Sequence, residues 1–497
     1  MAGLKSLAKD TAIYGMSSII GRFLNYLLVP LYTAKLSAAS GGYGVVTNVY
    51  AITALLLVLL TYGMETGFFR FANKSDENPQ TVYSTILMSV GGTSLLFIAL
   101  CFLFLNPISQ FLGYEQHPEF ISMMAIVVAL DAFQCIPFAY LRYKKRPIKF
   151  AALKLLFIFS NILLNLLFFV WAPSIYNSHP EWISWFYDPG YGVGYVFLAN
   201  LICTVAITFC FIKELTGFTY IFDKNLLKRI FIYSLPILVL GLAGILNQTV
   251  DKIIFPFVMG KTPEASVELG IYGAASKIAM IMAMFTQAFR YAYEPFVFGK
   301  SKDKDNRQTY ANAMKFFIIF TLLAFLTVMF YLDIIRHIIA PDYWAGLKVV
   351  PIVMAAEMFM GIYFNLSFWY KLIDKTKWGA YFSIIGCTVI ILLNIIFVPL
   401  YGYIACAWAG FTGYAVVMIL SYLVGQKKYP INYDLKSIGM YALVAIILYS
   451  LAMYVPIDNM PLKLTFRTLI LLLFIGYIVW KDFPLSQIPV INRLIKK

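Results

Sequence analysis

Hydrophobic residues recur along the chain in runs of about 20, and short polar segments separate one run from the next. As an α-helix, a run of this length crosses the roughly 30 Å hydrocarbon core of a membrane, where the backbone must satisfy its own hydrogen bonds. The pattern therefore predicts an all-α integral membrane protein with about 14 transmembrane helices. The predicted helices lie at about 11–33, 43–69, 81–105, 119–141, 149–172, 191–212, 230–257, 269–297, 311–332, 347–370, 379–400, 402–424, 437–456 and 464–481.

Composition supports a membrane protein and gives no sign of an enzyme. Only 13% of the 497 residues are charged, whereas soluble proteins carry about 25%. The sequence has no phosphate-binding glycine loop, no Walker motif and no His-Glu metal motif. Its six cysteines fall within predicted helices and lack metal-ligand spacing. We therefore expect no enzymatic activity, no cofactor and no metal site.

The basic residues orient the predicted helices. The formal net charge is +15, and most Lys and Arg residues fall in loops on one side, as in the cluster from Arg142 to Lys149. The positive-inside rule places that side, with both chain termini, in the cytoplasm. Because the basic residues lie in short loops between helices, we exclude nucleic acid as a partner.

A sequence repeat divides the chain. The dipeptide Tyr43-Gly44 recurs as Tyr272-Gly273, an offset of 229 residues (272 − 43 = 229). Two further matches have the same offset: Tyr62, Glu65 and Phe69 with Tyr291, Glu294 and Phe298, and Leu164, Asn165 and Phe168 with Leu393, Asn394 and Phe397. A doubled membrane domain is a common plan for secondary transporters, so transport is the first hypothesis.

The repeat predicts two six-helix halves followed by two further helices. An even number of helices preserves chain direction, so the halves are parallel repeats, related by an axis along the membrane normal in a V-shaped bundle. The predicted segments are 1–212 (N-terminal half), 213–229 (cytoplasmic linker), 230–425 (C-terminal half) and 426–497 (the last two helices and tail).

Charged residues inside predicted helices are functional candidates, because each costs roughly 2.5–3.5 kcal/mol at mid-membrane. Arg22 is the sharpest case, and it shares one helical stripe with Tyr14, Ser18 and Asn25. This stripe must face a cavity or another helix; a buried structural ion pair is the alternative. Lys154 shares a face with Asn161 and Asn165, but it could instead extend to the cytoplasmic interface.

The seventh and eighth predicted helices carry four more candidates. Asp251 and Lys252 are adjacent and point about 100° apart, so we expect that they cannot pair through simple helix geometry. Arg290 and Glu294 have the spacing of an i,i+4 ion pair. Because Glu65 is the repeat mate of Glu294, the two indicate paired inner gates, with solvation at helix ends as the alternative.

Two mid-membrane carboxylates are candidates for coupling to H⁺ or Na⁺. Asp131 is followed by Gln134, and Glu357 is followed by Asn365 on the same predicted face. Without an ATPase motif, the energy for transport must come from an ion gradient, the membrane potential or the substrate gradient.

Several motifs resemble the polysaccharide-biosynthesis flippases of the O-antigen and capsule type. These proteins belong to the multidrug/oligosaccharidyl-lipid/polysaccharide (MOP) superfamily, which includes the MATE-like transporters. The resemblance rests on the 6+6+2 plan and on three sets of residues: Tyr43-Gly44 with Tyr272-Gly273; Arg142, Tyr143 and Arg146; and Asn394, Phe397, Val398, Pro399 and Gly402.

The resemblance implies a monomeric flippase in the bacterial cytoplasmic membrane, which moves undecaprenyl-pyrophosphate-linked oligosaccharide to the outer leaflet. Related lipid II flippases have a cationic cavity with arginines on helices 1, 2 and 8, where this chain has Arg22, Arg70 and Arg290. Arg70 could equally be positive-inside charge at the membrane edge. The expected partners are the lipid-linked sugar, membrane lipids and H⁺ or Na⁺. The expected substrate-binding residues are Arg22, Asn25, Arg70, Lys154, Lys252 and Arg290. The expected coupling or gating residues are Glu65, Asp131, Asp251, Glu294 and Glu357.

Two alternatives remain open from the sequence. A MATE-like cation exporter would use acidic residues for cationic substrates, and the predicted helices hold both signs of charge. A membrane glycosyltransferase or polymerase acting on the same lipid would need a large catalytic outer loop, and the predicted outer loops are short.

Overall fold

A computed structural model describes residues 26–74, 76–299 and 306–482 of the chain. These residues form helices joined by short connections, and no β-strand occurs among them. The α-helices are α1 (Leu28–Lys35), α2 (Gly42–Thr61), α3 (Met64–Ala72), α4 (Pro79–Leu103), α5 (Leu105–Leu112), α6 (Pro118–Tyr143), α7 (Pro147–Leu166), α8 (Ala172–Ser178), α9 (Pro180–Ile183), α10 (Gly194–Cys210), α11 (Ile212–Leu215), α12 (Lys224–Val258), α13 (Pro263–Gly299), α14 (Asn306–Phe330), α15 (Leu332–Ile335), α16 (Val350–Leu366), α17 (Phe368–Leu372), α18 (Lys377–Tyr401), α19 (Tyr403–Lys428), α20 (Leu435–Tyr454) and α21 (Met460–Asp482).

The predicted all-α membrane fold is confirmed. Among the described residues, 12 helical segments are long and apolar enough to cross a membrane. The sixth predicted helix is present as α10, a shorter apolar helix. The first predicted helix, at 11–33, lies mostly outside the described residues, and α1 covers its end.

Local sequence signals set many of the helix starts. The Asn78 side chain accepts a hydrogen bond from the Gln80 amide at the start of α4, and Asp223 accepts from two amides at the start of α12. Such caps satisfy amides that have no partner within the helix. Pro79 and Pro118 each occupy a first helical position, where a missing N–H costs nothing.

The second predicted helix, at 43–69, is interrupted. Its two parts, α2 and α3, are separated by Tyr62 and Gly63, whose φ angles are +32° and +72°. Left-handed backbone is unusual for a tyrosine. The Tyr62 hydroxyl shares a hydrogen bond of 2.8 Å with Ser89 Oγ, and this contact to α4 helps to hold the conformation. The hydrophobic run continues through Tyr62 and Gly63, so the sequence pattern did not predict the interruption.

The chain divides into two compact units. The first unit comprises the residues up to Ala274 together with Ser383–Ala409, and the second comprises Ala275–Phe382 together with the residues from Gly410 onward. These boundaries differ from those of the predicted repeat halves, so the division at 212, 229 and 425 stays a prediction.

Each unit has its own apolar core. In the first unit, Phe68 of α3 packs with Ile86 of α4 and Ile136 of α6. In the second unit, Phe317 of α14 belongs to one buried cluster with residues of the last two helices, such as Phe474 of α21. Burying such aromatic side chains is a large favourable contribution to folding.

A cluster of charged residues joins α21 to α15 in the second unit. Arg467 of α21 is only 5% exposed, and its Nη1 donates to the Asp333 carboxylate at 2.7 Å and to the Phe330 carbonyl at 3.1 Å. Lys463 Nζ lies 2.8 Å from the same carboxylate. Burial alone would raise the pKa of Asp333, but the hydrogen bond and charge of Lys463, together with Arg467, outweigh it and hold this pKa below its usual 3.8.

We expect Asp333→Asn to destabilise the purified protein at pH 7 by about 3–5 kcal/mol, because it leaves a buried guanidinium without its carboxylate. A carboxylate with a lowered folded pKa stabilises the protein above its unfolded pKa, and this contribution is lost as the pH falls below about 4 through the folded pKa. Thermal unfolding at pH 7 and pH 3 measures both effects. The stability difference between the variant and the wild type should be smaller at pH 3 than at pH 7. The control is Asp342→Asn at an exposed position nearby; equal stability of Asp333→Asn and wild type at pH 7 would contradict the prediction.

Candidate functional site

The repeated Tyr-Gly dipeptides lie where α2 and α13 cross at their predicted outer ends. A Cβ atom at Gly44 would lie 1.9 Å from the Ser266 carbonyl oxygen, and one at Gly273 would lie 2.4 Å from Thr47 Oγ1. A Cβ at Gly270 would lie 3.0 Å from the Gly44 amide nitrogen. Only glycine permits this close approach of two backbones, which is typical of small-residue helix crossings in membranes.

A polar cluster adjoins this crossing. The buried Asp251 accepts a 2.7 Å hydrogen bond from the Tyr272 hydroxyl, and Lys252 Nζ lies 3.0 Å from the same carboxylate. Asn48 Nδ2 donates to the Lys252 carbonyl at 2.7 Å, and the Tyr114 hydroxyl donates to Asn48 Oδ1 at 2.8 Å. The cluster thus links α2, α12 and α13 within the first unit.

The expectation that Asp251 and Lys252 do not pair is wrong. The argument from the 100° step between neighbours treated the side chains as short and straight. The four-carbon stem of Lys252 is long enough to fold back along α12, where its Nζ also donates to the Gln248 carbonyl at 3.2 Å. Helix geometry fixes the Cβ direction but not the position of a flexible ammonium group.

A second charge pair lies within the N-terminal helices. Asp131 of α6 and Lys154 of α7 interact electrostatically. Lys154 Nζ lies 3.9 Å from the ring centroid of Phe138. Lys154 therefore turns toward α6 in this structure, and its predicted role in substrate binding stays a prediction.

Further groups surround this pair. Lys154 also interacts with the Arg142 charge and with Cys135, and Asp131 interacts with Tyr50. Gln134, the predicted neighbour of Asp131, donates to the Thr204 carbonyl of α10. The pair thus belongs to a polar network among the helices of the first unit.

The repeat asparagines Asn165 and Asn394 are both fully buried. Each amide nitrogen donates at 2.8 Å to the carbonyl four residues earlier. Asn165 also accepts from the Tyr32 hydroxyl at 2.9 Å, whereas Asn394 Oδ1 finds no hydrogen-bond partner within the described parts of the chain. The two asparagines thus share burial and one backbone hydrogen bond but differ in their other contacts, and the repeat of the two halves stays a prediction. Asn161 and Asn165 also contact each other through the Asn165 amide.

The predicted inner end of the first unit holds Glu65 and Arg70 on α3. Glu65 pairs with Arg142 of α6, a partner that sequence spacing could not reveal because 77 residues separate the two. Arg70 is exposed, and its guanidinium lies 4.6 Å from the ring centroid of Tyr233. No carboxylate of the described residues forms an ion pair with Arg70.

In the second unit, the guanidinium of Arg290 lies 5.0 Å from the ring centroid of Phe364, and Glu357 is half-buried in α16. Arg22, Asn25 and the side chain of Glu294 lie outside the described residues. Their predicted roles, including the Arg290–Glu294 pair, stay predictions. The described residues hold no cluster of three or more His, Cys, Asp or Glu side chains suited to a metal ion.

The long apolar helices define a multi-pass helical membrane protein. A family model described as polysaccharide biosynthesis protein matches residues 7–292, more than half of the sequence. The chain therefore belongs to this family. A second model, MatE, matches residues 230–400.

Solved structures share the fold. The lipid II flippase MurJ, in an inward closed conformation, is 18% identical over 94% of this chain and 98% of its own, with a TM-score of 0.73. An inward-facing MATE family transporter is 14% identical over 84% of this chain and 94% of its own, with a TM-score of 0.61. The MATE multidrug transporter DinF-BH is 17% identical with the same coverages and a TM-score of 0.58. No curated protein sequence matches the chain.

Proposed function

We propose that the protein is a flippase that moves undecaprenyl-pyrophosphate-linked oligosaccharide from the cytoplasmic to the outer leaflet of the bacterial cytoplasmic membrane. One observation carries the proposal. The likeness to a lipid-linked-sugar flippase spans 94% of the chain, against 84% for the multidrug transporters.

The cationic residues support an anionic headgroup. Arg70 and Arg290 each present a guanidinium beside an aromatic ring, and a planar guanidinium binds phosphate oxygens bidentately. Lys252 is already paired with Asp251, and Lys154 interacts with Asp131. We therefore assign phosphate contact to Arg70, and we propose that these lysines belong to the ion-coupling and gating network.

The substrate is tested by flipping in reconstituted vesicles. Fluorescent undecaprenyl-pyrophosphate oligosaccharide and a cationic dye are offered in parallel. We expect the lipid-linked sugar to cross and the dye to remain. Transport of the dye alone, in exchange for H⁺ or Na⁺, would establish the MATE-like antiporter that the MatE match over residues 230–400 favours as second candidate.

Arg70 gives the sharpest test on the described residues. Arg70→Ala should lower the flipping rate at least tenfold, because its guanidinium is replaced by a methyl group that cannot bind phosphate. Arg70→Lys should restore only part of the rate, since an ammonium lacks the planar fork. Lys74→Ala is the matched control, because it removes an exposed cation one turn away. Equal rates for Arg70→Ala and Lys74→Ala would show that Arg70 is ordinary cytoplasmic charge.

A further inference from the structure

The segment between α11 and α12 is fixed against the side of α4. The Thr85 hydroxyl donates to the Ile221 carbonyl at 3.2 Å, and the Ile221 amide donates to Ser84 Oγ at 2.8 Å. The Asp223 amide donates to Thr85 Oγ1 at 3.2 Å. At its other end, the Glu214 carbonyl accepts from the Tyr83 hydroxyl at 2.9 Å.

These bonds fix the depth of the segment. Ser84 and Thr85 are the sixth and seventh residues of α4, so they lie about 8 Å along the helix from Pro79 at a rise of 1.5 Å per residue. Both are fully buried, and α4 runs on as an apolar membrane-crossing helix. Ile221 therefore lies level with the first turns of that helix rather than beyond its end.

Large side chains of this segment point away from the protein. Tyr220, Ile221 and Phe222 are 47%, 47% and 42% exposed, respectively. Exposed apolar residues at this depth face the boundary between headgroups and acyl chains. The inward hydrogen bonds at Ile221 and Asp223 satisfy part of the backbone, which an apolar environment requires.

The adjoining face of α12 has the same character. Lys224, Lys228, Ile232 and Leu235 follow one another at intervals of three or four residues and are all exposed, so they lie on one helix face. The two lysines precede the two apolar residues along α12, which is the order expected for a helix that enters a bilayer from the headgroup layer. Lys213 adds a third exposed cation before the segment.

We propose that residues 220–222 are an interfacial anchor in the cytoplasmic leaflet, with Lys213, Lys224 and Lys228 binding the phosphates of anionic phospholipids. Juxtamembrane lysines are attracted to an anionic lipid surface, so three of them together give a preference for anionic phospholipids. The anchor fixes the start of α12 both to the membrane and to α4.

Depth is measured with a spin label on Ile221→Cys in protein carrying Cys210→Ser, reconstituted in nanodiscs. Cys210 is the one exposed cysteine in the part of the chain that the structure describes, and the unsubstituted Cys210→Ser protein supplies the background signal. Oxygen should collide with the label more than a water-soluble nickel chelate does. Asn225→Cys, exposed at the start of α12, should show the reverse, and Leu95→Cys, 70% exposed in mid-helix, gives the deep-lipid limit. A label at 221 as open to nickel as one at 225 would overturn the anchor.

The lipid preference is measured separately as the rise in Tm when phosphatidylglycerol replaces part of the phosphatidylcholine. The combined variant Lys213→Gln, Lys224→Gln and Lys228→Gln should at least halve this rise, because bound lipid stabilises the folded state by mass action. The matched control removes three exposed lysines of the predicted cytoplasmic side in the second unit, as Lys427→Gln, Lys428→Gln and Lys436→Gln. The phosphate assignment would be refuted if the variant at Lys213, Lys224 and Lys228 kept the full rise in Tm. It would also be refuted if the control variant lost as much of that rise.

Discussion

A disulfide between α2 and α13 should stop transport. In the variant with Thr47→Cys and Gly273→Cys, the two Cβ atoms would lie about 3.2 Å apart, judged from the Thr47 Cβ and a Cβ built at Gly273. Disulfides need about 3.5–4.5 Å, so a shift of a few tenths of an ångström suffices. Because α2 and α13 touch backbone to backbone at their predicted outer ends, we expect outward release of the substrate to need their separation. Oxidation should therefore lower flipping in vesicles more than tenfold, and a reductant should restore it.

Three controls isolate the crossing. Each single-cysteine variant reports the cost of the substitution itself, which matters because a side chain at Gly273 approaches Thr47 closely. Oxidised wild type reports any effect of the native cysteines. If the cross-linked protein transports as fast as the same variant after treatment with a reductant, the crossing does not open during transport. If no cross-link forms, the contact between α2 and α13 is not populated in the membrane.

The sequence identified the residues of this crossing as a repeated motif but did not predict that the two helices meet there. The repeat at an offset of 229 residues (272 − 43) singled out Tyr43-Gly44 and Tyr272-Gly273, because a motif needed twice is kept in both halves. The sequence does not contain the information that Gly44 faces Ser266 while Gly273 faces Thr47. Such contacts are set by how two helices cross, and that angle depends on packing along their whole length.

Hydrophobic periodicity predicted the helices well, because a membrane imposes length and apolarity on each one separately. The partners of the charged residues were not predictable in the same way. Arg142 pairs with Glu65 and Arg467 with Asp333 across long sequence separations. Arg142 lies in the last turn of α6, where the positive-inside pattern accounts for its charge without identifying its partner. Arg467 lies in α21 on the predicted outer side, where that pattern does not account for a cation. The interruption at Tyr62 was missed because tyrosine has no preference for positive φ.

Neutralising one member of the Asp131–Lys154 pair should be more damaging than neutralising both. Asp131→Asn removes the carboxylate that interacts electrostatically with the half-buried Lys154 ammonium, so we expect the single variant to lower the Tm. The double variant Asp131→Asn with Lys154→Gln removes both charges, so it should recover much of the lost Tm. Glu119→Gln, at the start of the same helix, is the control and should change Tm little.

The folded double variant then tests energy coupling. If a carboxylate in the first unit exchanges H⁺ or Na⁺ with one vestibule at a time, the double variant should flip substrate passively and no longer respond to an imposed pH or sodium gradient. Glu357→Gln tests the second candidate carboxylate in the same assay. The competing mechanism is direct action of the membrane potential, which supplies about 2.3 kcal/mol per charge per 100 mV. It predicts that flipping in wild type and in the double variant responds to an imposed potential and ignores both ion gradients. That outcome, together with an unchanged rate when Asp131 and Glu357 are neutralised together, would exclude carboxylate coupling.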